Sequence, residues 1–388
     1  MANSSIKINR LLGWPLAILL VVGVARIVGA SWQQHSGLVN ADPYSYVSYA
    51  RLLSGGHFYL DGEIAQATRA FADGKVQVLG PVWNTSVLAD GRTVFGIAPG
   101  YPLWLALMLK AGGTWLCLHA NILLLTVVML FIVLCFWEGF DRSFAGLAAG
   151  AVACLLLPRT SPATFLQFTY PWREALFYTC LTGAAWSLIR FSKSARLVWI
   201  GLLSFFLGYA FAIKESNLLY APVYGLVLLG LPAFRRFRPK WKLVAVGLLF
   251  VLIGAAPLLI QNALTTGNPL VSLQTLRETS EFSVNSTGHG LSLGNVSWVV
   301  KKYVTIYGQL PLFDWKLLVL ALIGIALTVK RPVGQIFLGI GLLHFGLYSM
   351  FGNAEYRHMF LAHIPYSVCL GAGIVLLIDR LVACGAKY

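Results

Sequence analysis

The feature that most constrains this chain is a series of apolar runs, each long enough to cross a bilayer, spread over its 388 residues. Hydrophobic residues make up 58% of the sequence and charged residues only 11%. A membrane-spanning helix needs about 20 mainly apolar residues. Because backbone polar groups find no water in lipid, each such segment must satisfy its own hydrogen bonds as a helix. The sequence therefore predicts an all-α polytopic membrane protein.

About ten transmembrane helices are predicted, and their hydropathy places them at 11–30, 115–137, 144–157, 172–189, 197–213, 218–231, 243–260, 312–329, 333–351 and 359–378. Two long polar loops, 31–98 and 261–310, interrupt the series. A short apolar helix from Ala98 to about Leu109 is expected along the outer interface. The first run is longer than the apolar core of a signal peptide, so a retained span is favoured. We expect a single transmembrane domain over residues 1–388, with no soluble C-terminal domain.

The net charge of +15 would suit a nucleic-acid partner, but the placement of the basic residues favours a topological origin. Short cytoplasmic loops of membrane proteins are rich in Lys and Arg. The segments assigned to the cytoplasm contain 15 Lys or Arg and three acids, whereas the outer segments contain 13 and 11. Both termini are therefore predicted in the cytoplasm and both long loops outside, in a bacterial inner membrane. No nucleic-acid partner is expected.

The short cytoplasmic segments leave no room for a nucleotide-binding domain. Neither a G-x-x-x-x-G-K-[ST] motif nor a G-x-G-x-x-G motif after a strand pattern occurs in the sequence. The six cysteines lie in or beside apolar runs without the spacing of metal ligands, so neither a metal nor a cofactor is expected. A transferase with its polar loops outside would need a lipid-linked donor, since nucleotide-activated substrates are normally absent there.

A polar, aromatic stretch follows the first apolar run, and its chemistry stands out in a chain with few charges. It contains Asp42, Pro43, Tyr44, Tyr46, Tyr49, Arg51, Gly55, Gly56 and His57. A carboxylate within hydrogen-bond reach of an acceptor hydroxyl can act as a general base. An aspartate before a proline also suits a turn or a helix N-cap. Local sequence leaves both interpretations of Asp42 open.

Further motifs occur in a fixed order relative to the predicted spans. They are Asp42, Tyr46, Ala50, Leu53 and Gly55 in the first outer loop, Pro99-Gly100-Tyr101-Pro102-Leu103 before the second span, Pro171 and Glu174 at the fourth, Lys214-Glu215 after the fifth, Pro257, Asn262, Gly267 and Pro269 around the end of the seventh, and Tyr356-Arg357 before the last. In this arrangement the chain resembles the GT-C superfamily, around glycosyltransferase family 39, which includes protein O-mannosyltransferases and lipid A aminoarabinose transferase. It departs from many relatives at Pro43, where they carry a second acid.

The resemblance implies an enzyme that uses a polyprenyl-phosphate sugar, with Asp42 as the catalytic base. Lys214 and Arg357 would hold the donor phosphate, since Lys and Arg stabilise charge that develops on a leaving group. Local ion pairs with Glu215 and with Glu355 are the alternatives for these two residues. The other candidate pocket residues are Arg51, His57, Tyr101, Arg173, Glu174, Glu355, Tyr356 and His358. Loop packing, or a local pair between Arg173 and Glu174, would also account for members of this set.

The predicted function is that of an inverting hexosyl- or pentosyltransferase of the cell envelope. Its partners would be the bilayer, the polyprenyl-phosphate sugar donor, and an extracytoplasmic glycan, lipid or protein acceptor. One alternative is a polysaccharide polymerase or ligase with a diphosphate-linked glycan donor. Another is a transporter or flippase, although such proteins often show internal repeats and charges near the bilayer midplane. Here the charges lie at the outer ends of the spans.

Overall fold

The computed structural model describes residues 22, 23, 25–27, 29, 41–73, 84–160, 168–272, 297, 301, 315–350 and 363–385. The helices named in these ranges are α1 (Ala41–Ser54), α2 (Gly62–Ala72), α3 (Gly100–Leu118), α4 (Ala120–Gly139), α5 (Phe144–Thr160), α6 (Arg173–Ser194), α7 (Leu197–Ile213), α8 (Ala221–Gly230), α9 (Pro232–Arg236), α10 (Lys240–Thr266), α11 (Trp315–Thr328), α12 (Pro332–Met350) and α13 (His363–Gly385). Two strands, β1 (Thr85–Val87) and β2 (Thr93–Phe95), pair as an antiparallel hairpin.

The described part of the first polar loop contains regular secondary structure. It includes the amphipathic helix α2. The stretch from Asn84 to Gly96 contains the hairpin of β1 and β2. Threonine, valine and phenylalanine favour the strands, and Asp90-Gly91 supplies a turn in which Gly91 adopts a φ of 81°. The all-α prediction is correct apart from this hairpin.

Among the described residues, three helices are long and apolar enough to cross a membrane: Ala120–Gly139, Lys240–Thr266 and His363–Cys384. Shorter apolar helices occur at Phe144–Leu157, Leu197–Ile213, Trp315–Thr328 and Pro332–Gly346. Helices α6 and α7 lie where the fourth and fifth spans were expected. The chain is thus a polytopic integral membrane protein, while the number of ten spans remains a prediction.

The short helix predicted to end near Leu109 is interrupted close to that point, because the backbone of Gly112 and Gly113 is non-helical, and a second helical stretch of α3 continues to Leu118. The sixth span, predicted at 218–231, is divided into a 3₁₀ helix (Glu215–Tyr220) and α8. At 1.5 Å per residue the ten residues of α8 cover about 15 Å, which is half of a hydrocarbon core of about 30 Å. Hydropathy alone does not detect this break.

Helix α10 continues past the predicted end of the seventh span, so the second outer loop does not begin at residue 261 as expected. The polar side chain of Gln261 lies inside the fold rather than in a loop. Its amide Nε2 donates to the carbonyl oxygens of Phe95 (3.2 Å) and Ile97 (3.0 Å). The helix ends at Gly267, whose φ of 74° suits a glycine C-cap.

Glycines set the close packing of the longest helices. A Cβ added at Gly254 of α10 would lie 2.4 Å from the carbonyl oxygen of Phe205 in α7. At Gly324 of α11 the corresponding distance is 1.8 Å, to the carbonyl oxygen of Cys369 in α13. Membrane helices associate through such small residues because they allow backbones to approach closely. These contacts fix the α7–α10 and α11–α13 pairs.

Ion pairs close one end of the bundle, where α4 and α6 end and α12 begins. Glu138 of α4 accepts a hydrogen bond from Arg190 of α6 at 2.5 Å. Just beyond α4, Asp141 pairs with Lys193 and with Arg331, the latter at 3.6 Å. The hydrogen bond from Lys193, with the charge of that residue and of Arg331, lowers the pKa of Asp141. This end carries the basic residues that the sequence assigns to the cytoplasm.

Candidate active site

Asp42 lies in the first turn of α1, with its side chain partly buried. Pro43 fits here because the first helical turn needs no intrahelical N–H donor. A negative charge at this position also interacts favourably with the helix dipole. The amide Nδ2 of Asn84, which directly precedes β1, lies 3.4 Å from Asp42 Oδ1 and 3.1 Å from Ser45 Oγ. The hairpin therefore supplies a donor to the candidate base, a role that the sequence analysis did not assign to Asn84.

The tyrosines of α1 pack against the elements that surround Asp42. Tyr46 makes an edge-to-face contact with Tyr101 of α3, at 5.2 Å between ring centroids. Tyr49 stacks on Phe95 of β2, at 4.9 Å. Both tyrosines are buried. The aromatic run that stands out in the sequence therefore anchors the helix that carries the acid.

Tyr101 connects four parts of the site. Its side chain is fully buried, and burial raises the pKa of its hydroxyl, so it remains protonated and donates to Asn121 Oδ1 at 2.9 Å. Asn121, in the first turn of α4, donates in turn to the carbonyl oxygens of Tyr170 (2.5 Å) and Trp172 (2.8 Å), which precede α6. Tyr101 is thus a packing and hydrogen-bonding centre beneath α1.

Arg173 and Glu174 begin α6 beside this centre. Arg173 Nε lies 3.8 Å from Glu174 Oε1, which is the local pair considered from the sequence. The guanidinium of Arg173 also lies 5.9 Å from the ring centroid of Tyr46. Within the described ranges, Glu174 Oε2 is buried and accepts no hydrogen bond. The structure therefore brings both residues to the end of the bundle at which Asp42 lies.

Lys214 reaches the same region through the backbone of α7. A Cβ added at Gly100 would lie 2.7 Å from the carbonyl carbon and oxygen of Ala212 and 2.9 Å from the nitrogen of Ile213. Only glycine allows the start of α3 to lie so close to the end of α7. Lys214 follows immediately, in an extended conformation. The Pro-Gly-Tyr motif thus places Tyr101 and Lys214 on neighbouring segments.

Two other candidates lie away from the acid. Arg51 is nine residues further along α1, about 14 Å along the helix axis from Asp42. Its side chain is exposed, as is that of His57 beyond the end of the helix. The structure does not bring these two residues to Asp42. Four more candidates (Glu355, Tyr356, Arg357 and His358) fall outside the described residues.

Two solved structures of ArnT from Cupriavidus metallidurans share this architecture. The one bound to undecaprenyl phosphate aligns with a TM-score of 0.59 and 16% identity, over 94% of this chain and 60% of that chain. The chain has the fold of ArnT. The apo form of ArnT aligns with a TM-score of 0.53 and 15% identity, over 95% of this chain and 60% of that chain. No family model and no curated protein matches the sequence.

ArnT is a GT-C aminoarabinose transferase, so the resemblance inferred from the sequence motifs is confirmed for the fold. This chain spans about three fifths of the length of the ArnT structures. At 15% to 16% identity the comparison supports a shared fold, and it does not assign a role to any single residue.

If the transferase activity expected from the sequence is present, replacing Asn84 by alanine should lower the rate of sugar transfer about tenfold, because Asp42 loses a hydrogen-bond donor. If Asn84 only positions the carboxylate, kcat falls while KM for the donor is unchanged. Ser86→Ala, in the adjacent strand, is the control and should leave both constants near those of the parent. A parental kcat in Asn84→Ala, measured on folded protein, would exclude this positioning role.

Proposed function

We propose that this chain is an inverting glycosyltransferase that moves a sugar from a polyprenyl-phosphate donor to an extracytoplasmic acceptor. The observation that supports it best is that two segments meet near Tyr101. The helix that carries Asp42 packs on Tyr101 through Tyr46, and the end of α7, which Lys214 follows, lies against Gly100. This convergence occurs in the fold of a transferase that was solved with undecaprenyl phosphate. The sugar and the acceptor are not part of the proposal.

The proposed reaction is a direct displacement at the anomeric carbon. Asp42 takes the proton of the acceptor hydroxyl as its oxygen bonds to the anomeric carbon. The bond between that carbon and the phosphate oxygen breaks, and the polyprenyl phosphate leaves with the electron pair. Lys214 and Arg357 are proposed to stabilise the charge that develops on this phosphate. Attack from the face opposite the phosphate inverts the anomeric configuration.

The remaining candidates have supporting roles in this proposal. Tyr101, Arg173 and Glu174 would shape the pocket, since the first two lie against Tyr46 on the helix that carries Asp42 and Glu174 lies beside Arg173. Arg51 and His57, which are exposed, would contribute at its rim. Glu355, Tyr356 and His358 would flank Arg357.

We further propose that the Asp42 end of the bundle faces outward and that both termini are cytoplasmic. The basic residues in and after α9, Arg235, Arg236 and Arg238, motivate this orientation. Cysteines introduced at Arg236 and at Asp90, both exposed, should react with a membrane-impermeant reagent from opposite sides of sealed vesicles. Labelling of both from the same side would contradict the orientation.

The donor class can be tested with purified protein and a panel of lipid-linked sugars. We expect transfer or hydrolysis with polyprenyl-phosphate sugars and none with diphosphate-linked glycans. The opposite preference would favour a polymerase or ligase, and turnover of neither would leave a transporter as the better interpretation.

Arg357→Ala should abolish most donor use, because a charge-assisted phosphate contact is lost. Arg357→Lys should restore part of it, since it keeps the charge without the planar fork.

A further inference from the structure

A cavity of about 400 Å³ lies at the end of the bundle opposite Asp42. It is formed where α5 begins, where α11 ends, and along the last turns of α13. This is the end at which Lys193 of α6 pairs with Asp141, whereas the start of α6 lies beside Tyr46. A volume of this size can hold a small polar group. The cavity is therefore separate from the proposed donor site.

Three charged side chains line the cavity: Arg331, Asp379 and Arg380. Arg331 is fixed in place, since its Nη1 donates to the carbonyl oxygen of Gly139 at 2.8 Å and its guanidinium lies 4.3 Å from the ring centroid of Phe140. Asp379 and Arg380 are exposed, and neither forms a hydrogen bond or an ion pair with other described residues. The lining thus carries a net charge of +1, with an arginine available to a ligand.

Apart from Ser143, the remaining lining residues are apolar, and apolar surface continues from the cavity along α11. Leu327 of α11 and Leu376 of α13 line the cavity together with two phenylalanines. Leu322, five residues before Leu327 on α11, is 64% exposed, and Ile378, between two lining residues of α13, is 54% exposed. A ligand that suits these surroundings has one negative charge next to a long apolar body. Basic pockets between the ends of membrane helices bind lipid headgroups in this way.

We propose that this cavity binds the phosphodiester headgroup of a membrane phospholipid. The phosphate would lie between Arg331 and Arg380, which suit phosphate oxygens through their planar guanidinium groups. The single negative charge of a phosphodiester balances the net charge of the lining. The acyl chains would lie along the exposed apolar side chains of α11, such as Leu322. This site does not depend on the proposed transferase activity.

The proposal can be tested by titrating the detergent-solubilised full chain with phosphatidylglycerol and measuring bound lipid by native mass spectrometry. Arg380→Ala should weaken binding about tenfold or more, because it removes a charge-assisted hydrogen bond. Arg236→Ala removes an exposed arginine from a segment assigned to the same membrane side and lies outside the cavity, so it should bind lipid like the parent. Equal binding by parent and Arg380→Ala would overturn the proposal, as would equal losses in the two variants.

A second variant tests the site in the opposite direction. Asp379→Asn removes the negative charge from the lining, so the affinity for phosphatidylglycerol should rise. Unchanged or weaker binding would contradict the assignment of the phosphate to this cavity. Inorganic phosphate at millimolar concentration should not displace the lipid. Displacement would assign the site to free phosphate and contradict the lipid headgroup.

Discussion

Asp42→Asn is expected to fold and insert like the parent, to bind the lipid donor, and to transfer sugar about 10²–10⁴-fold more slowly. The substitution preserves the size of the side chain and keeps an oxygen that can accept from Asn84. Loss of the negative charge in the first helical turn removes a helix-dipole interaction of only about 0.3–1 kcal/mol. A structural role in the first turn of α1 would therefore survive, whereas a general base would be lost. Transfer rates and thermal stability, measured on the same preparation, distinguish the two.

The control for this substitution is Asp61→Asn, which makes the same chemical change in the same outer loop. Asp61 is exposed and directly precedes α2, so it shares the position of Asp42 near a helix start without its surroundings. Its replacement should leave transfer near the parental rate. A parental rate in Asp42→Asn would remove Asp42 as the base and with it the main chemical support for the proposed enzyme.

Gly324→Ala is expected to destabilise the protein by about 1–3 kcal/mol or more, as overpacking does in tightly packed cores. The added Cβ would lie 1.8 Å from the carbonyl oxygen of Cys369 and 2.8 Å from the nitrogen of Gly373. These are backbone atoms, so no change of rotamer relieves the contact and α11 must move away from α13. The expected readout is a lower unfolding temperature in detergent.

Gly346→Ala, in α12, is the matched control because an added Cβ there meets no atom of the described residues within 4 Å. Alanine favours a helix over glycine by about 1 kcal/mol, so this variant should be as stable as the parent or slightly more stable. If Gly324→Ala unfolded at the same temperature as Gly346→Ala, the close approach of α11 and α13 would be wrong.

The sequence predicts those parts of the fold that depend on composition along one segment. The positions of α6 and α7 follow from their apolar runs. The division of the sixth span and the continuation of α10 do not, because tertiary contacts decide them. Gln261 remains helical since carbonyl groups more than 160 residues away in sequence accept its hydrogen bonds. A hydropathy window contains no such partner.

The same distinction applies to the candidate site. Asp42, Tyr101 and Glu174 could be selected because their type and order resemble a family pattern. Asn84 and Asn121 could not, since their partners Asp42 and Tyr170 lie 42 and 49 residues away in sequence. Local sequence does not show which polar side chain will meet which carbonyl group. The sequence therefore suggests candidate reactive side chains such as Asp42, and only the fold shows the side chains that position them, such as Asn84.

The hydrogen bonds of Gln261 connect the bilayer to the proposed chemistry. Helix α10 exposes Leu248, Leu252 and other large apolar side chains, and at its far end Gln261 holds the backbone of Phe95. The ring of Phe95 stacks on Tyr49, in the helix that carries Asp42. Two contacts thus connect α10 to that helix. If a change in the surroundings of α10 moves this helix, activity lost in detergent should return in lipid nanodiscs while the protein stays folded throughout. The surrounding lipid would then control the position of the acid.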